Sequence, residues 1–127
     1  MTALMCLAVA VYFEARSEPI DGQLAVAEVV MNRVEDDRYP DTVCDVVFAK
    51  KAFSFTVDGK PDRLPDGSSD AKRKALQVAS DVLGGSRMGI SSTHYHEVTV
   101  EPYWASSYDK DGKIGGHVFY TNNTRYK

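Results

Sequence analysis

The sequence predicts an α+β fold in a single domain, with helices in the N-terminal two thirds and short strands toward the C-terminus. Apolar residues recur at helical spacing in several segments before Gly85. The last third, Thr93 to Tyr120, lacks that period and holds all three histidines, four of the seven tyrosines and the single tryptophan. No repeat or linker divides the 127 residues, which suffice to bury one core, so we expect one domain over residues 1–127.

The first helix is predicted from an almost wholly apolar run, Leu4 to Phe13. Apolar residues cover nearly every side of it, which is typical of a core helix. Ser17-Glu18-Pro19 ends it, because the residue before a proline avoids the α region. The run has no basic segment before it and no cleavage site after it, and it is too short to span a bilayer. We therefore expect no export signal and no membrane insertion.

The second helix is predicted to run from Pro19 to about Val34. Its apolar residues recur every three or four positions, so they are expected to face the core. These inward positions are Ile20, Leu24, Ala27, Met31 and Val34.

Two more helices follow. A short third helix through Val43–Val47 is capped by Asp41 or Thr42, since such side chains accept hydrogen bonds from free N–H groups. The fourth helix begins at Ser69 or Asp70 and stops at a pair of glycines. Both assignments place helices ahead of the aromatic last third.

A β-hairpin is predicted between these two helices. Apolar and polar residues alternate over Phe53–Val57, and Asp58-Gly59 then supplies a tight turn. Residues 60–69 hold two prolines, Gly67 and two serines and are predicted to form a loop.

Charge and cysteine content narrow the classes of partner. The net charge of −3, with no block of Lys or Arg, argues against binding nucleic acid. Cys6 and Cys44 are compatible with one disulfide or with two buried thiols, and no C-x-x-C motif indicates a metal site. We expect no cofactor.

Glu14 is the main candidate for chemistry, because it ends the apolar first helix beside Tyr12 and Phe13. A carboxyl group in apolar surroundings favours its protonated form, which a general acid requires. The alternative is a salt bridge with Arg16 or a plain helix end. Glu18 is the alternative candidate for the general acid. It stands at the start of the second helix, however, where a capping role is expected.

The histidines form the second candidate group. In an extended segment His94 and His96 point to one side and Tyr95 to the other. With His117 they are candidates for a zinc site, but no H-x-x-x-H motif or obvious carboxylate partner supports one. We therefore assign them to a polar substrate groove or to packing, and expect no metal.

Trp104 is the single tryptophan and follows Tyr103. A lone Trp is most often a core residue, but beside tyrosines it is also suited to stacking on a sugar ring. The sequence leaves both roles open.

An ordered series of motifs resembles the SleB/CwlJ family of cell-wall hydrolases, the spore cortex-lytic enzymes and their relatives. The resemblance spans essentially the whole chain. The matching motifs are Tyr12-Phe13-Glu14-Ala15-Arg16-Ser17-Glu18-Pro19, Gly22 to Ala27, Asn32-Arg33, Tyr39-Pro40, Phe53-Ser54-Phe55, Trp104, and Ile114-Gly115 with His117 to Tyr120.

This resemblance implies a lysozyme-like domain that cleaves the glycan of peptidoglycan as a lytic transglycosylase. Its catalytic acid is the first glutamate of an E-A-R-G-E motif, which matches Glu14. It also implies a set of substrate-binding residues around that acid. They are Glu18, Gln23, Ser54, Phe55, His94, Tyr95, His96, Trp104, His117 and Tyr120.

Two departures from the family pattern stand out. Ser17 replaces the usual glycine of the motif, which leaves the turn intact if its backbone φ is negative. Ala52 and Val57 stand where related bacterial sequences often have cysteines, so the disulfide implied there is lacking.

Three functions remain compatible with these residues. A lytic transglycosylase needs one carboxyl group, whereas an inverting muramidase needs a second carboxylate to activate water. Candidates for the second group are Asp21, Glu28, Glu97 and Glu101. A non-catalytic glycan-binding module is the third possibility.

The expected place of action is the bacterial cell wall, on peptidoglycan strands and as a monomer. A starting methionine without an export signal suits a phage endolysin released through a holin. A catalytic domain trimmed from a longer secreted enzyme fits the same sequence.

Overall fold

The structure is a computed structural model that describes residues 1–49 and 63–123. In these ranges the α-helices precede the strands, which confirms the predicted α+β class. The elements are α1 (Ala3–Ala15), α2 (Ile20–Val34), α3 (Val43–Val47), α4 (Asp70–Leu83), β1 (His94–Glu97), a short 3-10 helix (Tyr103–Ser106), β2 (Asp109–Ile114) and β3 (His117–Thr121). The hairpin predicted at Phe53–Gly59 lies outside the described residues.

Helix α1 is the centre of the core. Every residue from Cys6 to Val11 is fully buried, which confirms the prediction of a core helix. Thr2 Oγ1 accepts a hydrogen bond from Met5 N at 3.1 Å and so caps its first turn. The helix ends at Ala15, and Glu14 therefore lies in its last turn.

Helix α2 packs on two sides rather than along one stripe. One side joins the helical core with α1, α3 and α4. The other side presents Ala25, Val26 and Val29 to Phe119 of the sheet. The prediction that Ile20 faces inward is wrong, because this first residue of the helix is 45% exposed.

The sequence narrowed the caps of α3 and α4 to two neighbouring residues each, and the structure selects Thr42 and Ser69. Thr42 Oγ1 accepts from Asp45 N, and Ser69 Oγ accepts from Lys72 N, each at 3.1 Å. Each cap satisfies an N–H group that has no partner within its helix. Such a cap raises the free energy of unfolding by about 1 kcal/mol.

Among the described strands, the sheet is antiparallel with order β1-β3-β2, so β1 lies at one end of that order. In its register, His94 pairs with Tyr120 and Tyr95 with Phe119. Because side chains alternate along a strand, His94 and His96 lie on one face of the sheet and Tyr95 on the other.

A disulfide joins Cys6 of α1 to Cys44 of α3, and it resolves the alternative that the sequence left open. It closes a loop of 38 residues around α2.

Of the helices in residues 1–49 and 63–123, none is both long and apolar enough to cross a membrane.

Candidate active site

Glu14 is half-buried in the last turn of α1, and Tyr95 reaches it from the sheet. The Tyr95 hydroxyl donates a hydrogen bond to Glu14 Oε1 at 2.5 Å. The two residues are 81 positions apart, so the contact depends on how the sheet packs against the helices.

Tyr95 is held on the helix-facing side of β1. Its ring packs on His117 at 4.9 Å and on Phe119 at 5.5 Å between centroids. Burial raises the pKa of Tyr95 well above its usual range, and the charge and hydrogen bond of Glu14 raise it further. The hydroxyl therefore remains a proton donor to the carboxylate at neutral pH.

The two strand histidines lie on the opposite face of β1 from Tyr95. His96 Nε2 is 3.0 Å from Tyr120 Oη, and both rings contact Trp104. The sequence expectation was that His94 or His96, together with Tyr120, would face a sugar at Glu14. The structure brings Tyr95 to Glu14, and His94 lines the same cleft as Tyr95, so contact of these residues with a sugar stays a prediction.

His94 packs among aromatic rings. Its ring lies 5.1 Å from Trp104 and 4.8 Å from Tyr108. Burial, with a smaller contribution from the charges of Arg33 and Arg38, lowers the pKa of His94 to about 4. It is therefore neutral at pH 7.

A cleft of about 530 Å³ lies along β1 and the 3-10 helix, and Tyr95 contributes to its wall. Glu14 is thus one hydrogen bond away from a residue of the cleft wall. The described lining residues are largely aromatic, and none of them is acidic. They are Arg33, Tyr39, Pro40, Val46, Ala49, His94, Tyr95, Tyr103, Trp104 and Tyr108.

Several cleft residues were absent from the predicted substrate-binding set. Arg33 is a buried cation on α2 whose Nε donates to Thr93 O at 2.8 Å and whose guanidinium lies over the Tyr39 ring. Arg33 and Tyr39 stand in the motifs Asn32-Arg33 and Tyr39-Pro40, which were the available sequence signal for them. Tyr103 was noted only as the neighbour of Trp104, and Tyr108 carried no signal beyond being aromatic.

Glu18 does not cap α2, contrary to expectation. Pro19 occupies the N-cap position without a side-chain hydrogen bond, and Glu18 Oε1 instead accepts from Gly116 N at 2.7 Å. The backbone carbonyl of Glu18 accepts from Gln23 Nε2 at 3.1 Å. Gln23 and Glu18 thus support the segment that follows Glu14.

Gln23 and His117 are both buried, and each keeps a polar atom without a hydrogen-bond partner in the described part of the chain. These atoms are Gln23 Oε1 and His117 Nδ1. Ser54 and Phe55, also predicted to bind substrate, lie outside the described residues.

Glu28, one of the candidates for a second carboxylate, binds backbone N–H groups instead. It is 2% exposed, and its carboxylate accepts three backbone N–H bonds, from Met88, Gly89 and Ile90. Asp21, Glu97 and Glu101 are exposed residues outside the cleft lining.

Within the described ranges, no group of three His, Cys, Asp or Glu side chains is arranged to hold a metal ion.

A family of known proteins matches most of this chain. The pattern of the cell wall hydrolase family matches residues 17–120, a range that begins just after Glu14. The chain belongs to the cell wall hydrolase family.

Relatives of known name agree with this family. The chain is 37% identical over 117 residues to a spore cortex-lytic enzyme of Halalkalibacterium halodurans, covering 91% of this chain and 34% of that protein. It is 32% identical over 114 residues to a spore cortex-lytic enzyme of Bacillus subtilis, covering 89% and 35%. The chain thus spans about a third of the length of these relatives.

Solved structures share the fold. The catalytic domain of the Bacillus cereus SleB protein superposes with a TM-score of 0.79 at 31% identity, covering 94% of this chain and 89% of that domain. The catalytic domain of the Bacillus anthracis germination-specific lytic transglycosylase SleB gives the same TM-score and identity, with coverage of 94% and 93%.

Proposed function

We propose that this chain cleaves the glycan strands of peptidoglycan between N-acetylmuramic acid and N-acetylglucosamine, as a lytic transglycosylase. It acts in the bacterial cell wall as a monomer, without metal or cofactor. The observation that carries the proposal is the Glu14–Tyr95 contact beside an aromatic cleft whose described lining includes no acidic residue.

Glu14 acts as acid and then as base. Its carboxyl proton passes to the glycosidic oxygen, the bond to muramyl C1 breaks, and the other sugar leaves with a free hydroxyl group. The carboxylate then removes the proton of the muramyl C6 hydroxyl, whose oxygen bonds to C1 and closes a 1,6-anhydro ring. One carboxyl group serves both steps, and the reaction consumes no water.

Aromatic and polar groups of the cleft hold the sugars. Tyr103 and Trp104 offer ring faces at one edge, and Arg33 offers a cation beside Tyr39. A concave site of this kind, apolar with a few polar groups, suits binding of a chain of amphipathic sugar rings.

The hydrolytic alternative is less well supported. An inverting muramidase requires a second carboxylate roughly 6.5–9.5 Å from the acid, with water between them. Glu28 is committed to three backbone N–H groups. Asp21, Glu97 and Glu101 are exposed, whereas Glu14 is half-buried and bonded to Tyr95 of the cleft wall. These positions favour the single-carboxyl reaction.

Analysis of the sugar ends released from purified peptidoglycan tests the proposal. Transglycosylation gives 1,6-anhydromuramic ends, whereas hydrolysis gives reducing ends that borohydride converts to alcohols. Glu14→Gln is the matched control, because an amide cannot donate the proton, and it should release less than about a tenth of the wild-type product. Reducing ends would establish the muramidase, and binding without release would establish the non-catalytic module.

A further inference from the structure

A groove of about 320 Å³, separate from the aromatic cleft, lies beside the last turn of α1. One wall comes from that helix and the other from the segment before α4. The lining residues that matter here are Tyr12, Phe13, Arg16, Arg63 and Asp66. Because Phe13 directly precedes Glu14, this basic groove adjoins the candidate catalytic residue.

Arg16 contributes an exposed cation to the basic groove. Its guanidinium lies 4.9 Å from the centroid of the Tyr12 ring, and its Nη1 donates to Tyr12 O at 3.3 Å. No carboxylate of the described residues is within ion-pair distance of it. A guanidinium has five N–H donors, so Arg16 keeps donors for a ligand.

Arg63 contributes the second cation. Its Nη1 lies 3.9 Å from Asp66 Oδ1, and the two side chains are 69% and 94% exposed. An exposed pair at this distance is weak, so a ligand carboxylate can replace Asp66. The wall itself is anchored, because Leu64 is buried in the helical core and Lys72 Nζ donates to Pro65 O at 2.9 Å.

Two arginines favour an anionic ligand, since guanidinium groups match carboxylates in charge and geometry. A sugar ring is a poorer fit, because the Arg16 guanidinium already covers a face of the Tyr12 ring.

The position of the basic groove requires a ligand group that extends away from the reacting sugar. Two residues along a helix correspond to a rotation of about 200°, so Arg16 and Glu14 lie on different sides of α1. A helix with its side chains is about 10–12 Å wide, and an extended peptide of four residues spans about 13 Å. A peptide attached to a sugar at Glu14 is therefore long enough to reach Arg16.

We propose that Arg16 and Arg63 form a subsite for the carboxylates of the peptide stem carried by N-acetylmuramic acid. This inference rests on the proposed function, which places a muramyl residue at Glu14. The subsite binds the stem and takes no part in proton transfer. It should therefore act on substrate affinity and not on the chemical step.

The first test uses two preparations of soluble glycan fragments with intact stems. In one the stem carboxylates are free, and in the other they have been converted to amides with carbodiimide and ammonia. Arg16→Gln and Arg63→Gln should each raise KM about two- to fivefold on the free-acid fragments and leave kcat unchanged. On the amidated fragments both variants should match wild type, whose own KM should be higher there.

Arg73→Gln is the matched control. Arg73 is an exposed arginine that pairs with an aspartate three residues away, as Arg63 does, but it lies on α4 outside the lining of the basic groove. It should keep wild-type KM on both preparations. Added salt should reduce the preference of wild type for free-acid fragments, because it screens exposed charges.

The second test does not depend on cleavage. The stem peptide, released from the fragments by an amidase, is titrated into ¹⁵N-labelled wild type. The side-chain Nε–H signals of Arg16 and Arg63 should shift, and that of Arg73 should not. The amidated peptide should leave all three signals in place.

The outcomes separate this subsite from the proposed function. If wild type releases no fragments, the proposed function fails, and the peptide titration alone decides the subsite. Equal KM of wild type on both preparations, an Arg16→Gln effect of the same size on both, or unshifted arginine signals would overturn the proposal. If Arg16→Gln does not fold, Arg63→Gln and the wild-type titration give the same decision.

Discussion

Glu18 Oε1 accepts a hydrogen bond from the backbone N–H of Gly116 at 2.7 Å, joining residues 98 positions apart. The bond ties the segment after α1 to the turn between β2 and β3. Glycines pack around this carboxylate: a Cβ at Gly22 would lie 3.0 Å from Glu18 Cβ, and one at Gly115 would overlap Glu18 Oε1. Because Glu14 lies only four residues before Glu18, this contact fixes the chain that leaves the candidate active site.

Glu18→Ala should lower the free energy of unfolding by about 1.5–3 kcal/mol, because the Gly116 N–H loses a charged acceptor. Urea denaturation measures this directly. Glu101→Ala, at an exposed glutamate, should change stability by less than about 0.5 kcal/mol. Equal stability of the two variants would show that the Glu18 contact contributes nothing.

Gly115→Ala should destabilise the protein by about 2–5 kcal/mol, through a positive φ of 60° and the overlap with Glu18. Gly67→Ala separates the two causes. Its φ is 81° and no atom lies within 4 Å of the added Cβ, so only the backbone cost of about 1–2 kcal/mol remains.

The double variant Glu18→Ala with Gly115→Ala removes the overlapping side chain. It should therefore be less destabilised than the sum of the single variants. Strict additivity in urea denaturation would contradict the proposed contact between these two residues.

The contrast between caps and long-range contacts indicates what the sequence could predict. Thr42 and Ser69 cap helices within three residues of themselves, so local sequence narrowed each cap to two neighbouring residues. The Glu18 contact to Gly116 and the Tyr95 contact to Glu14 depend instead on how the sheet docks against the helices. Strand alternation separated Tyr95 from its neighbouring histidines correctly, but it could not tell which face of the strand would meet α1.

Protonation of His94 should destabilise the fold. Burial, together with Arg33 and Arg38, lowers the pKa of His94 from 6.5 to about 4, while Asp36 acts in the opposite direction. Between these values the unfolded chain binds more protons at this site, so its stabilising contribution is complete above pH 6.5 and is lost as the pH falls toward 4. Urea denaturation at several pH values measures the decline.

His94→Gln provides the comparison for this pH dependence, because glutamine does not titrate. The variant should lose less stability than wild type between pH 6.5 and about 4. Carboxyl groups titrate in both proteins and cancel in the difference. Parallel pH profiles would rule out a contribution from His94.

Tyr103 should contribute to glycan binding without contributing to stability. It is 93% exposed, yet it lines the cleft beside Trp104. Tyr103→Ala should raise KM several-fold on glycan fragments and leave kcat and the melting temperature nearly unchanged. Met88→Ala, which removes another exposed apolar side chain outside the cleft lining, should leave KM unchanged. An unaltered KM in Tyr103→Ala would remove this residue from the binding surface.

Reduction of the Cys6–Cys44 disulfide should lower the melting temperature. The bond ties α3 to the helix that carries Glu14. It also closes a loop of 38 residues in the unfolded chain, and the conformational entropy lost there stabilises the folded state by about 3–4 kcal/mol. Cys6 is fully buried, so complete reduction is first verified by a thiol count under denaturing conditions. The double variant Cys6→Ala with Cys44→Ser should melt near the reduced wild type and be insensitive to reductant. Equal melting temperatures of reduced and oxidised wild type would mean that packing of α1 against α3 is sufficient without the covalent bond.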